Sequence, residues 1–172
     1  FLDVLDGGVL ACATNEAEEL EFPRCRSIVD VNEPGSTAKL IPLATVFQRR
    51  LYEPSDVIDV EGGKFKLGKR TISDDHPFDQ LRVDEIGIFS SNIGVTKLGL
   101  RAGPTQIHKT LLEFGFGAKT GVDFPGEIKG AVYKPEKWTS HFLANVCFGY
   151  GITVSAIQIA AAYGVVASGG DL

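Results

Sequence analysis

Glu33-Pro34-Gly35-Ser36-Thr37-Ala38-Lys39 is the stretch on which the reading of this chain turns. Pro34-Gly35 halts any strand arriving from residues 24–33 and marks a turn. Beyond it, Leu40, Leu43, Ala44 and Phe47 recur at spacings of three and four. That period predicts a helix from about Ser36 to about Arg50, with Pro42 disturbing its first two turns. Residues i and i+3 share a helix face, so the Ser36 hydroxyl and the Lys39 ammonium can meet. A serine is a poor nucleophile until a neighbouring base takes its proton, and a desolvated lysine with a lowered pKa is such a base. The helix start adds positive potential, and the Ser36 amide can donate to a developing oxyanion. Two plainer readings compete. About one S-x-x-K is expected by chance at average composition in a chain of this length, and Ser36 can serve simply as an N-cap.

Working outward, Leu2-Asp3-Val4-Leu5 and Val9-Leu10-Ala11-Cys12-Ala13 flank Asp6-Gly7-Gly8, which predicts a hairpin over residues 2–14. Residues 15–22 are acidic and read as an exposed loop. Residues 54–80 read mostly as loop, with one short hairpin of Phe65-Lys66-Leu67 and Arg70-Thr71-Ile72 about Gly68-Lys69. Helical patterns return at 83–89, 93–101 and 104–114, with Pro104 at a first helical position and Gly115 as a stop. Residues 117–139 carry glycines, prolines and short strand-like pieces. A last helix is predicted from about Thr153 to Ala167, with Ser155 and Gln158 fitting a capping box near its start.

Composition narrows the class. The 172 residues are 44% hydrophobic and 23% charged, with a net charge of −5 and acidic and basic residues interleaved. No basic stripe of the kind nucleic-acid binders carry is visible. No apolar run is long enough to span a membrane, and there is no signal peptide and no Met. The chain therefore reads as an excised domain or processed piece. Cys12, Cys25 and Cys147 form no CxxC pair and do not cluster with His76, His108 or His141, so no metal site is expected. One disulfide with one free thiol is open to these three cysteines, but buried free thiols are the plainer reading.

Three further candidates stand beside Ser36 and Lys39. Ser90-Ser91-Asn92 lies between two helical patterns. A serine there can relay a proton, and Asn92 can hold a substrate amide by donor and acceptor together; the plainer reading is an N-cap. Lys119-Thr120-Gly121 is rejected as a catalytic lysine motif, because it follows Asn92 too closely and leads into Pro125, which suits a loop better than a central strand. Asp74-Asp75-His76 is read as a solvated turn. Trp138 and Tyr150 are read as packing residues, and Phe148-Gly149-Tyr150-Gly151 as a turn before the last helix.

Taken together these segments carry a family likeness. Glu33-Pro34-Gly35-Ser36 through Lys39 resembles the E-P-G-S-x-x-K of class B penicillin-binding proteins. Ser90-Ser91-Asn92-Ile93-Gly94 with Lys97-Leu98 resembles their S-S-N-[VI]-G segment. Phe114-Gly115-Phe116-Gly117, Thr120-Gly121 and Pro125-Gly126-Glu127 are similar to their F-G-F-G-x-x-T-G…P-G-E stretch. Phe148-Gly149-Tyr150-Gly151-Ile152 through Gln158, Ala162-Tyr163 and Gly169-Gly170 resemble a further block, and Asp6-Gly7-Gly8-Val9-Leu10-Ala11 the opening hairpin. Ser168, where the family usually has asparagine, and Cys25, in place of the commoner asparagine of an R-N-R, depart from the pattern.

The resemblance implies an α+β penicilloyl-serine transferase fold, with a helical subdomain and an incomplete antiparallel sheet over residues 1–172. It implies a serine D,D-transpeptidase that cross-links peptidoglycan. Ser36 would be the nucleophile, Lys39 the base, Ser90 a proton relay and Asn92 a substrate clamp. No cofactor is implied. Stem peptides and β-lactams are the expected partners, with a glycosyltransferase among cell-wall proteins. The expected location is the outer face of the bacterial inner membrane, anchored through an N-terminal segment outside this chain. The catalytic K-T-G of the family is expected beyond Leu172, which would leave these residues alone poorly active. A β-lactamase or β-lactam-sensing relative, and a non-catalytic scaffold of the division or elongation machinery, are the alternative functions.

Overall fold

The computed structural model describes residues 1–4, 6–13 and 24–170. The acidic loop expected over residues 15–22 lies outside the described residues. Among the described residues there are seven α-helices: α1 Arg26–Val29, α2 Leu40–Gln48, α3 Val83–Ile88, α4 Asn92–Ala102, α5 Pro104–Glu113, α6 Ser140–Cys147 and α7 Ala156–Ala167. Strands β1 Val57–Asp59, β2 Lys64–Leu67, β3 Arg70–Ser73 and β4 Gln80–Arg82 form two antiparallel pairs, β1 with β4 and β2 with β3. The fold class is α+β, as expected. None of the described helices is long and apolar enough to cross a membrane.

The chain divides into two compact units. One comprises Pro34–Thr110 and Tyr133–Gly151. Its centre is α4, which packs on both α2 and α6. Ile93, Val95 and Leu98 of α4 are fully buried, as are Ile86 of α3 and Val46 of α2. Glycines permit this closeness. A Cβ at Gly99 would run into the Cys147 sulfur, and one at Gly94 would sit 2.7 Å from Ile86. Cys147 is wholly enclosed, and burial pushes its thiol up to about 12. The β2–β3 hairpin has the expected register, with Phe65 opposite Ile72 and Lys66 opposite Thr71. The β1–β4 pair, with Ile58 opposite Leu81, falls where only loop was expected, because each strand is three residues long and its partner is distant in sequence. Helix α6 was also not expected. Thr139 caps it by accepting from the Phe142 amide, and Leu143, Val146 and Cys147 line its buried face.

The other unit comprises Phe1–Glu33, Leu111–Val132 and Ile152–Leu172. The opening hairpin survives as a bridge between Leu2 and Val9, closed by the Asp3 amide on the Gly8 carbonyl at 2.8 Å. Cys12 and Cys25 are joined by a disulfide and Cys147 is a buried free thiol, where buried free thiols throughout were the plainer expectation. Helix α7 starts three residues later than Thr153, because Thr153 and Val154 are used in bridges to Ala131 and Asn32. The capping box is the expected one: Ser155 accepts from the Gln158 amide, and Gln158 Oε1 accepts from the Ser155 amide at 2.9 Å.

Gln158 is buried, and its side-chain amide donates to the carbonyls of Ala118 at 2.6 Å and Lys129 at 3.1 Å. Glu127, 7% exposed, accepts from the Thr120 amide and hydroxyl, each at 2.6 Å, and from the Gly121 amide at 3.2 Å. Burial alone would raise the Glu127 carboxyl, but these hydrogen bonds and the charge of Lys119 hold it below its ordinary value. Thr120 and Gly121 are thus bound by a carboxylate as part of a loop.

Candidate active site

The segment around Ser36 is wound more tightly than expected. Gly35–Lys39 is a 3₁₀ turn that runs into α2, with Pro34 at its start. Pro42 lacks the N–H that would carry the α-helical ladder back into this turn, which accounts for the change of winding. The consequence favours the pair. In a 3₁₀ helix, residues i and i+3 eclipse, so Ser36 and Lys39 stack on one face. Ser36 is not the N-cap: that place belongs to Pro34, and the Thr37 hydroxyl closes the turn by donating to the Pro34 carbonyl at 2.7 Å. Ser36 is exposed, and among the described residues its hydroxyl takes no hydrogen-bond partner.

Lys39 is the opposite case. It is 5% exposed, deep enough that burial pushes its ammonium below the ordinary lysine range, with Asp74 and Asp75 pulling the other way. Its Nζ donates to the Ser90 hydroxyl at 2.8 Å and also to the Ser90 carbonyl. No hydrogen bond joins Lys39 to Ser36 among the described residues. The ammonium is held on Ser90, while Ser36 lies on the same face of the turn as Lys39.

Ser90 sits at φ 54, in the left-handed region where a non-glycine residue costs on the order of 1–3 kcal/mol. Its neighbours hold it there. The Ser91 amide donates to the Ile86 carbonyl at 3.0 Å. The buried Ser91 hydroxyl caps α4, accepting from the Gly94 amide at 2.8 Å and donating to Asp74 Oδ2 at 2.5 Å. Capping, the plainer role foreseen for this segment, is therefore filled by Ser91, which leaves the Ser90 side chain to Lys39. Asn92 Nδ2 donates to the Ser73 carbonyl at 3.0 Å, and Asn92 lines a cavity with Arg70, Ser73, His141, Asn145 and Phe148. Ser36 is not among the lining residues of that cavity.

Two contributors were not foreseen. Asp74, read as part of a solvated turn, ties the Ser91 hydroxyl and the Ile93 amide, the latter at 3.0 Å. Gly149 clasps the turn before the serine: its carbonyl accepts from the Gly35 amide at 3.0 Å, and a Cβ at Gly149, φ 88, would overlap the Gly35 carbonyl oxygen. The glycines at 149 and 151 were visible in sequence, but what they approach was not. Tyr150, read as packing, is 49% exposed with its ring edge-on to Phe148, whereas Trp138 packs against Phe142 and His108. Lys119 belongs to the other compact unit, where it lines a pocket with Thr120 and Gln158. Among the described residues, no group of His, Cys, Asp and Glu is placed to hold a metal ion.

The arrangement pairs an unencumbered hydroxyl at the start of a helix with a buried, destabilised ammonium whose proton can pass to a second hydroxyl. That is the equipment for nucleophilic attack on a carbonyl with proton transfer to a leaving group.

Comparison with known proteins agrees. Residues 1–172 match the family model described as the penicillin-binding protein transpeptidase domain. The chain is 34% identical over 151 residues to a probable peptidoglycan D,D-transpeptidase PbpC of Pseudomonas aeruginosa, covering 88% of this chain and 27% of that protein. It is 30% identical over 178 residues to the peptidoglycan D,D-transpeptidase FtsI of Escherichia coli, covering 99% of this chain and 30% of the relative. Among solved structures, the transpeptidase domain of Burkholderia pseudomallei penicillin-binding protein 3 superposes with a TM-score of 0.84 at 33% identity, over 87% of this chain and 45% of that one. The chain thus spans less than half the length of each of these relatives.

Proposed function

Because the chain belongs to the penicillin-binding protein transpeptidase family, we propose that it supplies the acylating residues of a peptidoglycan D,D-transpeptidase. The observation that carries this reading is the burial of Lys39 against Ser90, three residues after an exposed, unpartnered Ser36. Ser36 Oγ attacks the carbonyl between the two terminal D-alanines of a stem peptide. Neutral Lys39 takes the hydroxyl proton as the C–O bond forms. The tetrahedral oxyanion is met by the Ser36 amide, which the first turn leaves unspent. As the C–N bond breaks, the proton passes from Lys39 through the Ser90 hydroxyl to the departing D-alanine amine. The ester on Ser36 is then attacked by an amine of a neighbouring strand, which restores the serine. Asn92 holds the substrate amide: its carbonyl oxygen has no partner among the described residues, while its NH₂ is fixed on Ser73. β-Lactams offer a strained ring amide in place of that peptide carbonyl and stop at the ester.

The protein carrying this chain acts outside the cytoplasm, a location that suits the Cys12–Cys25 disulfide. Anchoring to the membrane through a further segment, and work beside a glycosyltransferase, complete the reading. The test is release of D-alanine from a pentapeptide ending in D-Ala-D-Ala, in the presence of an amine acceptor, by the complete protein. Release with a cross-linked product, abolished by Ser36→Ala, supports the reading. Rapid turnover of penicillin would favour a β-lactamase instead, and no reaction with either substrate a scaffold.

A further inference from the structure

We propose that Asp74 is a positioning residue of the acylation site: its carboxylate pins the Ser90-Ser91-Asn92 turn so that the Ser90 hydroxyl stays on Lys39. The proposal rests on the reading of Ser36 and Lys39 given above. Each oxygen of the carboxylate has its own task. Oδ2 accepts from the Ser91 hydroxyl at 2.5 Å, and Oδ1 from the Ile93 amide at 3.0 Å. These two contacts bracket Asn92 and sit immediately after Ser90. They also place a negative charge at the start of α4, where the helix dipole and the unpaired amides favour it. Ser91 caps α4 from within its own segment; Asp74 caps it from just past the end of β3, across 19 residues of sequence.

Asp74 is itself held. It follows the last residue of β3, and its amide donates to the Gly63 carbonyl at 3.1 Å. The preceding residue, Ser73, takes the Asn92 side chain on its carbonyl. The last residue of the hairpin and the one after it therefore grip the two members of the motif that follow Ser90. Without that grip, Ser90 in its left-handed backbone is free to relax toward an ordinary conformation and to leave Lys39. Among the described residues, Asp74 and Asp75 are the charged side chains that act on Lys39, and both favour its protonated form. Asp74 alone of these two also bonds to the turn.

The two effects separate by variant. Asp74→Asn keeps the size but offers one acceptor where two are needed, and removes the charge. Ser91→Ala removes the same hydroxyl contact and keeps the charge. Penicillin acylation rates are measured against pH on the complete protein, with thermal unfolding alongside. At pH above the Lys39 titration, both folded variants should acylate about 10- to 100-fold more slowly, the scale of a misplacement of order 1 Å. Only Asp74→Asn should move the acidic limb of the profile, and to lower pH, since Lys39 loses its proton more easily once the neighbouring carboxylate is gone. If Asp74→Asn does not fold, the fall in rate for Ser91→Ala carries the test. Wild-type rates in either folded variant would overturn the proposal. A wild-type protein that penicillin does not acylate at Ser36 would instead overturn the reading on which it rests.

Discussion

The Lys39 ammonium lies 2.8 Å from the Ser90 hydroxyl and donates to it, across 51 residues of sequence. This bond joins the S-x-x-K turn to the S-S-N turn. It gives the buried lysine an acceptor while Ser36, the proposed nucleophile, stays unengaged.

Lys39 should be replaceable by no other cation. In its proposed role as base it depends on burial lowering its proton affinity. An arginine stays protonated under all ordinary conditions. Lys39→Arg and Lys39→Ala should both slow acylation by labelled penicillin by about 10² to 10⁴, the usual range for loss of a general base. In the wild type the rate should fall as pH drops through the Lys39 titration, because only neutral lysine accepts the proton. An active Lys39→Arg enzyme would show that the base lies elsewhere.

Ser90 separates backbone from hydroxyl. Its φ of 54 is one that glycine adopts freely. Ser90→Gly should therefore leave the melting temperature unchanged or higher while acylation falls by at least about 10². Parallel loss of stability and rate would mean that the residue acts through the fold alone.

Gly149→Ala should damage both. The new Cβ would strike the Gly35 carbonyl, and alanine is strained at φ 88. A cost of more than about 1 kcal/mol is expected where alanine replaces a left-handed glycine, with Ser36 displaced in consequence. Gly103→Ala, equally left-handed but with open space around it, should cost stability without slowing acylation of the folded protein. Thermal unfolding and acylation rates on the pair distinguish the two.

Lys119 and Glu127 test the rejected motif. Lys119→Ala should leave acylation nearly unchanged. Glu127→Gln should lower stability by about 1.5–3 kcal/mol, the worth of hydrogen bonds to a charged group, because one acceptor oxygen becomes a donor facing an N–H. The Glu127 carboxyl is held below its ordinary value of 4.5. Its contribution is therefore complete above that pH and is lost as pH falls through the depressed folded value. Wild type and Glu127→Gln should converge in melting temperature toward acid. A constant gap between them from pH 7 to pH 3 would contradict this.

What was legible in sequence was what is local. The i, i+3 spacing of Ser36 and Lys39, the hairpin about Gly68-Lys69, the Ser155–Gln158 box and the α+β class all rest on near neighbours or on an ordered set of motifs. Helix α6 was also within reach, since Thr139 is a capping residue and Phe142, Leu143, Val146 and Cys147 follow at helical spacing. The prolines and glycines before it masked the pattern. The rest was beyond sequence for a physical reason. The partner of Lys39, the two bonds of Asp74 and the approach of Gly149 to Gly35 depend on how α4 and the β2–β3 hairpin pack. No periodicity reports that geometry. The 3₁₀ winding at Gly35–Lys39 was half legible, since Pro42 announced a disturbance without saying which helix would replace the α-helix.

The central claim is that Ser36 is the residue acylated. It is tested most directly by incubating the complete protein with penicillin and sequencing its proteolytic peptides by mass spectrometry. A penicilloyl adduct on Ser36, absent from Ser36→Ala, is the expected result. An unmodified protein, or an adduct on another residue with Ser36 free, would contradict the account.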